Sequence, residues 1–136
     1  MKCSSVIHMV VPVWQNGNSR EEDYLGEAVW NALSLAAEKN YARVALTGVA
    51  SYPASAAAKI VLEVTVDFCQ SSNSPKLTEI CLIDINDSVV NHFHEGLLKV
   101  FGKETVRIVD LQGRKAVSEV VPLGQTDLCE YNNFIT

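Results

Sequence analysis

Apolar and polar positions along this chain switch repeatedly between unbroken runs and helical stripes. The first run, Ser5-Val6-Ile7-His8-Met9-Val10-Val11-Pro12-Val13-Trp14, is nearly continuous apolar sequence. That pattern predicts a strand covered on both faces, with pairing stopping near Pro12, which has no N–H to donate. The lone His8 inside it reads as a satisfied core histidine, a commoner role there than ligand or base. After a loop at Gln15-Asn16-Gly17-Asn18, the segment Ser19-Arg20-Glu21-Glu22 has the form of a capping box, with Ser19 at the N-cap and Glu22 at N3. Tyr24, Leu25, Ala28, Val29, Leu33 and Ala36 then recur at helical spacing, predicting an amphipathic helix over 20–39 that stops at Asn40.

A short apolar run over 42–47 predicts the next strand, and a loop of small residues leads to Pro53. Ala57, Ile60, Val61, Val64 and Phe68 form the stripe of a second helix. Its Glu63 and Asp67 lie one turn apart and read as a solvated face rather than an acid–base pair. A polar connection at 71–75 leads to a third strand over 77–85, and Asp87 or Ser88 caps a third helix. That helix buries Val89, Val90, Phe93, Leu97, Val100 and Phe101 and ends at Gly102. Beyond it, strands are expected over 105–111 and 116–121 around a turn at Gln112-Gly113-Arg114, followed by a weakly patterned end. The order β-α-β-α-β-α predicts an α/β fold with a parallel sheet.

The stretch from 42 to 60 is the strand–loop–helix unit around which the chain is organised. Ligands of open α/β sheets bind at loops leaving the carboxyl ends of strands. Unpaired N–H groups and the positive dipole end of the next helix attract anions there. The same residues also fit an ordinary βα turn.

Composition narrows the chemistry. The 136 residues suffice for one domain with a sizeable core, and 48% hydrophobic with 20% charged is ordinary globular material. A net charge of -5, with 11 Lys and Arg scattered along the chain, argues against a nucleic-acid partner. It leaves an anionic small molecule open, because backbone amides hold phosphate without net positive charge. No segment is apolar over the roughly 18 residues a bilayer requires, so no membrane partner is expected. Cys3, Cys69, Cys81 and Cys129 form no CxxC pair and are expected as reduced thiols. His92 and His94, two apart on a helix, make no metal pair, and neither metal nor cofactor is expected. Asn86-Asp87-Ser88 matches a glycosylation sequon but reads as a helix start. With no clear signal-peptide cleavage site, the expected location is cytoplasmic and/or nuclear.

The run Val6-Ile7-His8-Met9-Val10-Val11-Pro12-Val13-Trp14 resembles the V-I-H-x-V-G-P-x-W strand of macro domains, the ADP-ribose-binding modules. The acidic helix start at Glu21-Glu22, the small-residue loop with Tyr52-Pro53, Ala57-Ala58 and the strand over 77–85 follow in family order. The resemblance covers about residues 5–101, with the closest likeness to the tandem macro domains of poly-ADP-ribose-polymerase-family proteins. It implies a three-layer α/β/α, Rossmann-like domain over 1–102 with a largely parallel sheet, and a C-terminal extension or linker over 103–136. The family's first strand and helix, with an N-A-A-N-like segment and a Gly-rich loop, have no counterpart here, so the fold is expected to be N-terminally incomplete.

The family's loop resembles S-(S/T)-G-(I/V)-(F/Y)-G-(F/Y)-P. Thr47, Gly48, Val49, Tyr52 and Pro53 match it, whereas Leu46, Ala50 and Ser51 depart from it. By resemblance, the ligand-binding residues are Thr47, Gly48, Val49, Ala50 and Ser51 through their amides, with Asn86 near the adenosine. The function so implied is a non-catalytic module binding ADP-ribose, or a related nucleotide diphosphate, at a degenerate site, weakly holding ADP-ribose or an ADP-ribosylated protein. The alternative is an interaction or scaffold domain without ligand. A hydrolase is the least favoured, because the family's catalytic asparagine and Gly-rich loop are not found. Self-association through an exposed sheet edge is a further expectation.

Overall fold

The computed structural model describes residues 3–71 and 76–101, and beyond them the backbone of four short strands within 106–128. Helix α1 (Glu21–Glu38) buries Leu25, Val29, Ala32, Leu33 and Ala36, close to the predicted stripe, while Tyr24 turns outward and is 45% exposed. It ends as the sequence predicts. Asn40 adopts a left-handed conformation (φ 59), its N–H reaches the carbonyl of Ala37 (2.9 Å), and the N–H of Tyr41 reaches that of Ala36 (3.0 Å). These two bonds form a Schellman cap. The capping box is not formed. Arg20, itself left-handed, occupies the N-cap, and the Ser19 hydroxyl donates to Gln15 Oε1 (3.1 Å).

Helix α2 (Ala54–Gln70) starts where Pro53 pre-sets the backbone (φ -56). It lies between α1 and α3, which is why its buried face is wide: Ala57, Ala58, Ile60, Val61, Leu62, Thr65 and Phe68. The Thr65 hydroxyl is satisfied within the helix by the Val61 carbonyl (2.6 Å), and Trp30 of α1 meets Phe68 edge-on at 5.2 Å. Helix α3 (Asp87–Phe101) buries Val89, Val90, Phe93 and Leu97. Val100, expected inside, is 51% exposed, and Gly102 lies outside the described residues.

Strand β1 (Arg43–Thr47) pairs in parallel with β2 (Glu79–Ile83), register Arg43↔Glu79 to Thr47↔Ile83. At the first register pair the Arg43 guanidinium grips the Glu79 carboxylate twice, at 2.6 and 2.8 Å. Leu46, Ile80 and Leu82 join the helices in one core. The chain therefore has the α/β fold that its element order predicts.

The first predicted strand is not formed: residues 5–14 enter no ladder among the described residues. Met9, Val11 and Trp14 pack on the core, whereas Val6 (56%), Val10 (93%) and Val13 (71%) are exposed, as is His8. An unbroken apolar run does not distinguish a strand covered on both faces from an extended segment lying on the core by one face. The parallel sheet is accordingly a pair rather than three strands among the described residues, and His8 is no core histidine.

Past α3, β3 (Val106–Asp110) pairs antiparallel with β4 (Lys115–Glu119), near the ranges expected, and their backbone lies against α3. The weakly patterned end contains a second antiparallel pair, β5 (Val121–Leu123) with β6 (Thr126–Leu128). Both β4 and β6 approach β2. The turn expected at 112–114 falls outside the described residues. Among those residues, no helix is long and apolar enough to cross a membrane.

Candidate functional site

The carboxyl ends of β1 and β2 meet in one small constellation. Register places Thr47 opposite Ile83, so Gly48 and Asp84 leave the sheet side by side. Gly48 N–H donates to Asp84 Oδ2 (3.0 Å), and Asp84 Oδ1 accepts the N–H of Asn86 (2.8 Å). The Asn86 side-chain oxygen accepts the N–H of Ser88 (2.9 Å) and so caps α3, the role expected of Asp87 or Ser88. A Cβ on Gly48 would stand 2.7 Å from Val89 Cγ1 and 2.8 Å from Asp84 Oδ2, so only glycine lets the loop pass this close to α3.

From Gly48 the loop turns outward. The N–H of Tyr52 closes it on the Val49 carbonyl (3.0 Å), Ala50 and Ser51 are exposed, and Val49 rests against the core. Among the described residues, the N–H groups of Val49, Ala50 and Ser51 have no acceptor. The same holds for Ala54, Ser55 and Ala56 in the first turn of α2, where Pro53 supplies no side-chain cap. A row of backbone donors at a positive helix end is a fitting seat for an anion. The residues singled out by sequence are thus brought together, with one difference: the Gly48 amide faces Asp84 instead of the loop's outer side. Thr47 is exposed at the end of β1, and Asn86 is linked to Gly48 through the Asp84 carboxylate.

Two residues outside the predicted ligand-binding set complete the arrangement. Asp84 is one. Its signal is an acid directly after a strand whose parallel neighbour is followed by glycine, visible only once the register is known. Glu21 is the other. Read as an interior position of a capping box, it is solvent-inaccessible and accepts three loop amides. Oε1 takes the N–H of Gln15 (2.6 Å) and Gly17 (3.2 Å), and Oε2 takes that of Ser19 (2.6 Å). Asn16 (φ 58) and Gly17 (φ 77) are both left-handed, and around them the alternate amides of Gln15, Gly17 and Ser19 turn inward to the carboxylate.

Enclosure under this thin loop works to raise the Glu21 pKa, but the N–H groups of Glu21, Ser19, Gln15 and Gly17 together outweigh it and hold the carboxyl below its ordinary value. The Tyr52 hydroxyl donates to the Glu21 carbonyl (3.0 Å), and its ring lies 5.2 Å from that of Trp14. Burial first, and then the charge of Glu21, push the Tyr52 phenol up.

Among the described residues, no group of His, Cys, Asp and Glu side chains is arranged to hold a metal ion. His92 Nδ1 lies 2.6 Å from the Ser88 carbonyl, and Cys3, Cys69 and Cys81 are free thiols.

Comparison with known proteins bears on the chemistry. The family model of the Macro domain matches residues 1–61. The chain is 34% identical over 109 residues to the O-acetyl-ADP-ribose deacetylase of Enterobacter cloacae subsp. cloacae, covering 76% of this chain and 58% of that protein. It is 33% identical over 108 residues to the deacetylase of the same name from Shigella flexneri serotype 5b, covering 76% of this chain and 59% of the other. For that of Escherichia coli strain K12 the identity is 32% over 108 residues, with the same coverage, 76% and 59%. The chain thus spans about three-fifths of the length of these curated relatives.

The relatives are named as enzymes, which overturns the expectation of a non-enzyme. That expectation rested on motifs not found in the sequence, and such an absence weighs little against the activity for which similar chains are named. The relatives are bacterial and lend nothing to a likeness with the tandem modules or to a nuclear location.

Proposed function

We propose that this chain is a macro domain, as its likeness over residues 1–61 supports, and that the loop after β1 and the start of α2 hold the diphosphate of an ADP-ribose-type ligand, with O-acetyl-ADP-ribose as the substrate class. One observation carries the reading: the N–H groups of Val49, Ala50, Ser51, Ala54, Ser55 and Ala56 have no acceptor among the described residues, at the carboxyl end of a parallel strand pair. Hydrogen bonds from amides to charged phosphate oxygens are among the strong ones, and they do not depend on side chains. The substitutions that set this loop apart from the family pattern therefore leave the seat in place. They act on its surroundings, chiefly by leaving Ala50 where a ring could cover the ribose. The names of the relatives support the substrate class and the ester hydrolysis that goes with it.

Titration calorimetry with ADP-ribose tests the binding, and acetate release from O-acetyl-ADP-ribose tests the reaction. Binding on the order of 100 µM is expected, since each missing contact group costs about 1–3 kcal/mol. Tighter binding is expected in Ala50→Phe. No heat from either protein at millimolar ADP-ribose would overturn the reading.

A further inference from the structure

We propose that Glu21 is a positioning residue for the ligand loop, tying residues 15–19 to residues 49–52 through the Tyr52 hydroxyl, so that a diphosphate on the loop and order in residues 15–19 favour each other. The inference rests on the ligand reading above and extends it to residues that do not touch the ligand.

The geometry is a chain of direct links. Residues 15–19 form an inward-facing nest of amides, built by the two consecutive left-handed residues Asn16 and Gly17. The nest is filled by the protein's own carboxylate, both oxygens of Glu21 being engaged at 2.6–3.2 Å. On the same residue the backbone carbonyl accepts the Tyr52 hydroxyl at 3.0 Å, a bond between buried groups 31 positions apart in sequence. Tyr52 in turn closes the ligand loop through its N–H on Val49 (3.0 Å), directly beside the amides that lack acceptors.

A second, independent tie runs from ring to ring. Trp14 lies 5.2 Å from Tyr52, and its indole edge stands 3.5 Å from where a Cβ on Gly17 would be. Glu21 itself is solvent-inaccessible and reaches no ligand, so its effect on binding runs through Tyr52. Coupling of this kind is reciprocal: what one site does to the other's equilibrium, the other does in return.

The test measures ADP-ribose affinity by calorimetry and amide exchange at residues 15–19, for the wild type, Glu21→Gln and Tyr52→Phe. Tyr52→Phe keeps the ring against Trp14 and removes only the hydroxyl. It is expected to weaken ADP-ribose binding about three- to tenfold, the weight of one neutral hydrogen bond. Saturating ADP-ribose should slow exchange at residues 15–19 in the wild type and lose most of that effect in Tyr52→Phe, a readout that simple structural support would not move. Should Glu21→Gln fail to fold, Tyr52→Phe carries the test alone.

Wild-type affinity in Tyr52→Phe, or exchange at residues 15–19 that ignores the ligand, overturns the proposal. If the wild type binds no ADP-ribose at all, the ligand reading falls and the tie is judged on the unliganded protein. There, faster exchange at residues 15–19 in Tyr52→Phe upholds it, and unchanged exchange overturns it.

Discussion

Glu21 shows how much one buried carboxylate can organise. Its pKa lies below the ordinary 4.5 when folded, so its contribution to stability is present above pH 4.5 and is lost as the pH falls through the folded value. The wild type should therefore melt higher than Glu21→Gln above pH 4.5, with the gap in Tm narrowing at lower pH; parallel curves would show that the charge is not what the loop amides recognise. Gly48 carries the opposite constraint, since space and not charge decides it. Val89 and Asp84 both stand under 3 Å from a Cβ at that position, so Gly48→Val should lower stability by about 1–3 kcal/mol in chemical denaturation and displace the loop from Asp84. Thiol reactivity follows burial in the same way. Burial pushes the Cys69 thiol up to about 11, so alkylation at pH 8 should mark exposed Cys3 well before Cys69.

At the scale of elements, helix stability and the proposed ligand meet at one end of α2. Its amino terminus carries no acidic residue in the first turn and no side-chain cap, an arrangement that leaves helix stability unclaimed. An acid there should do two opposite things. Ala54→Asp should stabilise the fold by about 0.3–1 kcal/mol through the dipole and weaken ADP-ribose binding by repelling the diphosphate. A variant that is both more stable and unimpaired in binding would place the ligand elsewhere. The middle of α2 is packed on both sides. At Gly96 of α3 a Cβ would come within 2.5 Å of Leu62 Cδ2, so the two helices meet at glycine closeness.

At the scale of the whole molecule, an anionic ligand approaches a protein of net charge -5. The proposed seat is neutral backbone, so attraction there would be local while the overall field opposes it. ADP-ribose affinity should then hold or improve as ionic strength rises from low to physiological, which calorimetry at several salt concentrations checks. A steep loss with salt would point to a lysine or arginine contact instead.

Sequence periodicity alone determined the three helices, the β1–α2 unit and the small-residue loop between them, because each is a local pattern: stripes at helical spacing, a proline at a helix start, an asparagine at a helix end. The family motif in the loop was likewise legible, since it lies in consecutive residues. Tertiary structure decided the rest. Whether residues 5–14 pair or merely lie on the core depends on what stands beside them, and an apolar run carries no record of that. The direction of the Gly48 amide depended on register, which brought Asp84 level with it across 36 positions. Glu21 looked like a helix-start acid because its true partners are the amides of a loop, and backbone donors have no signature in side-chain sequence.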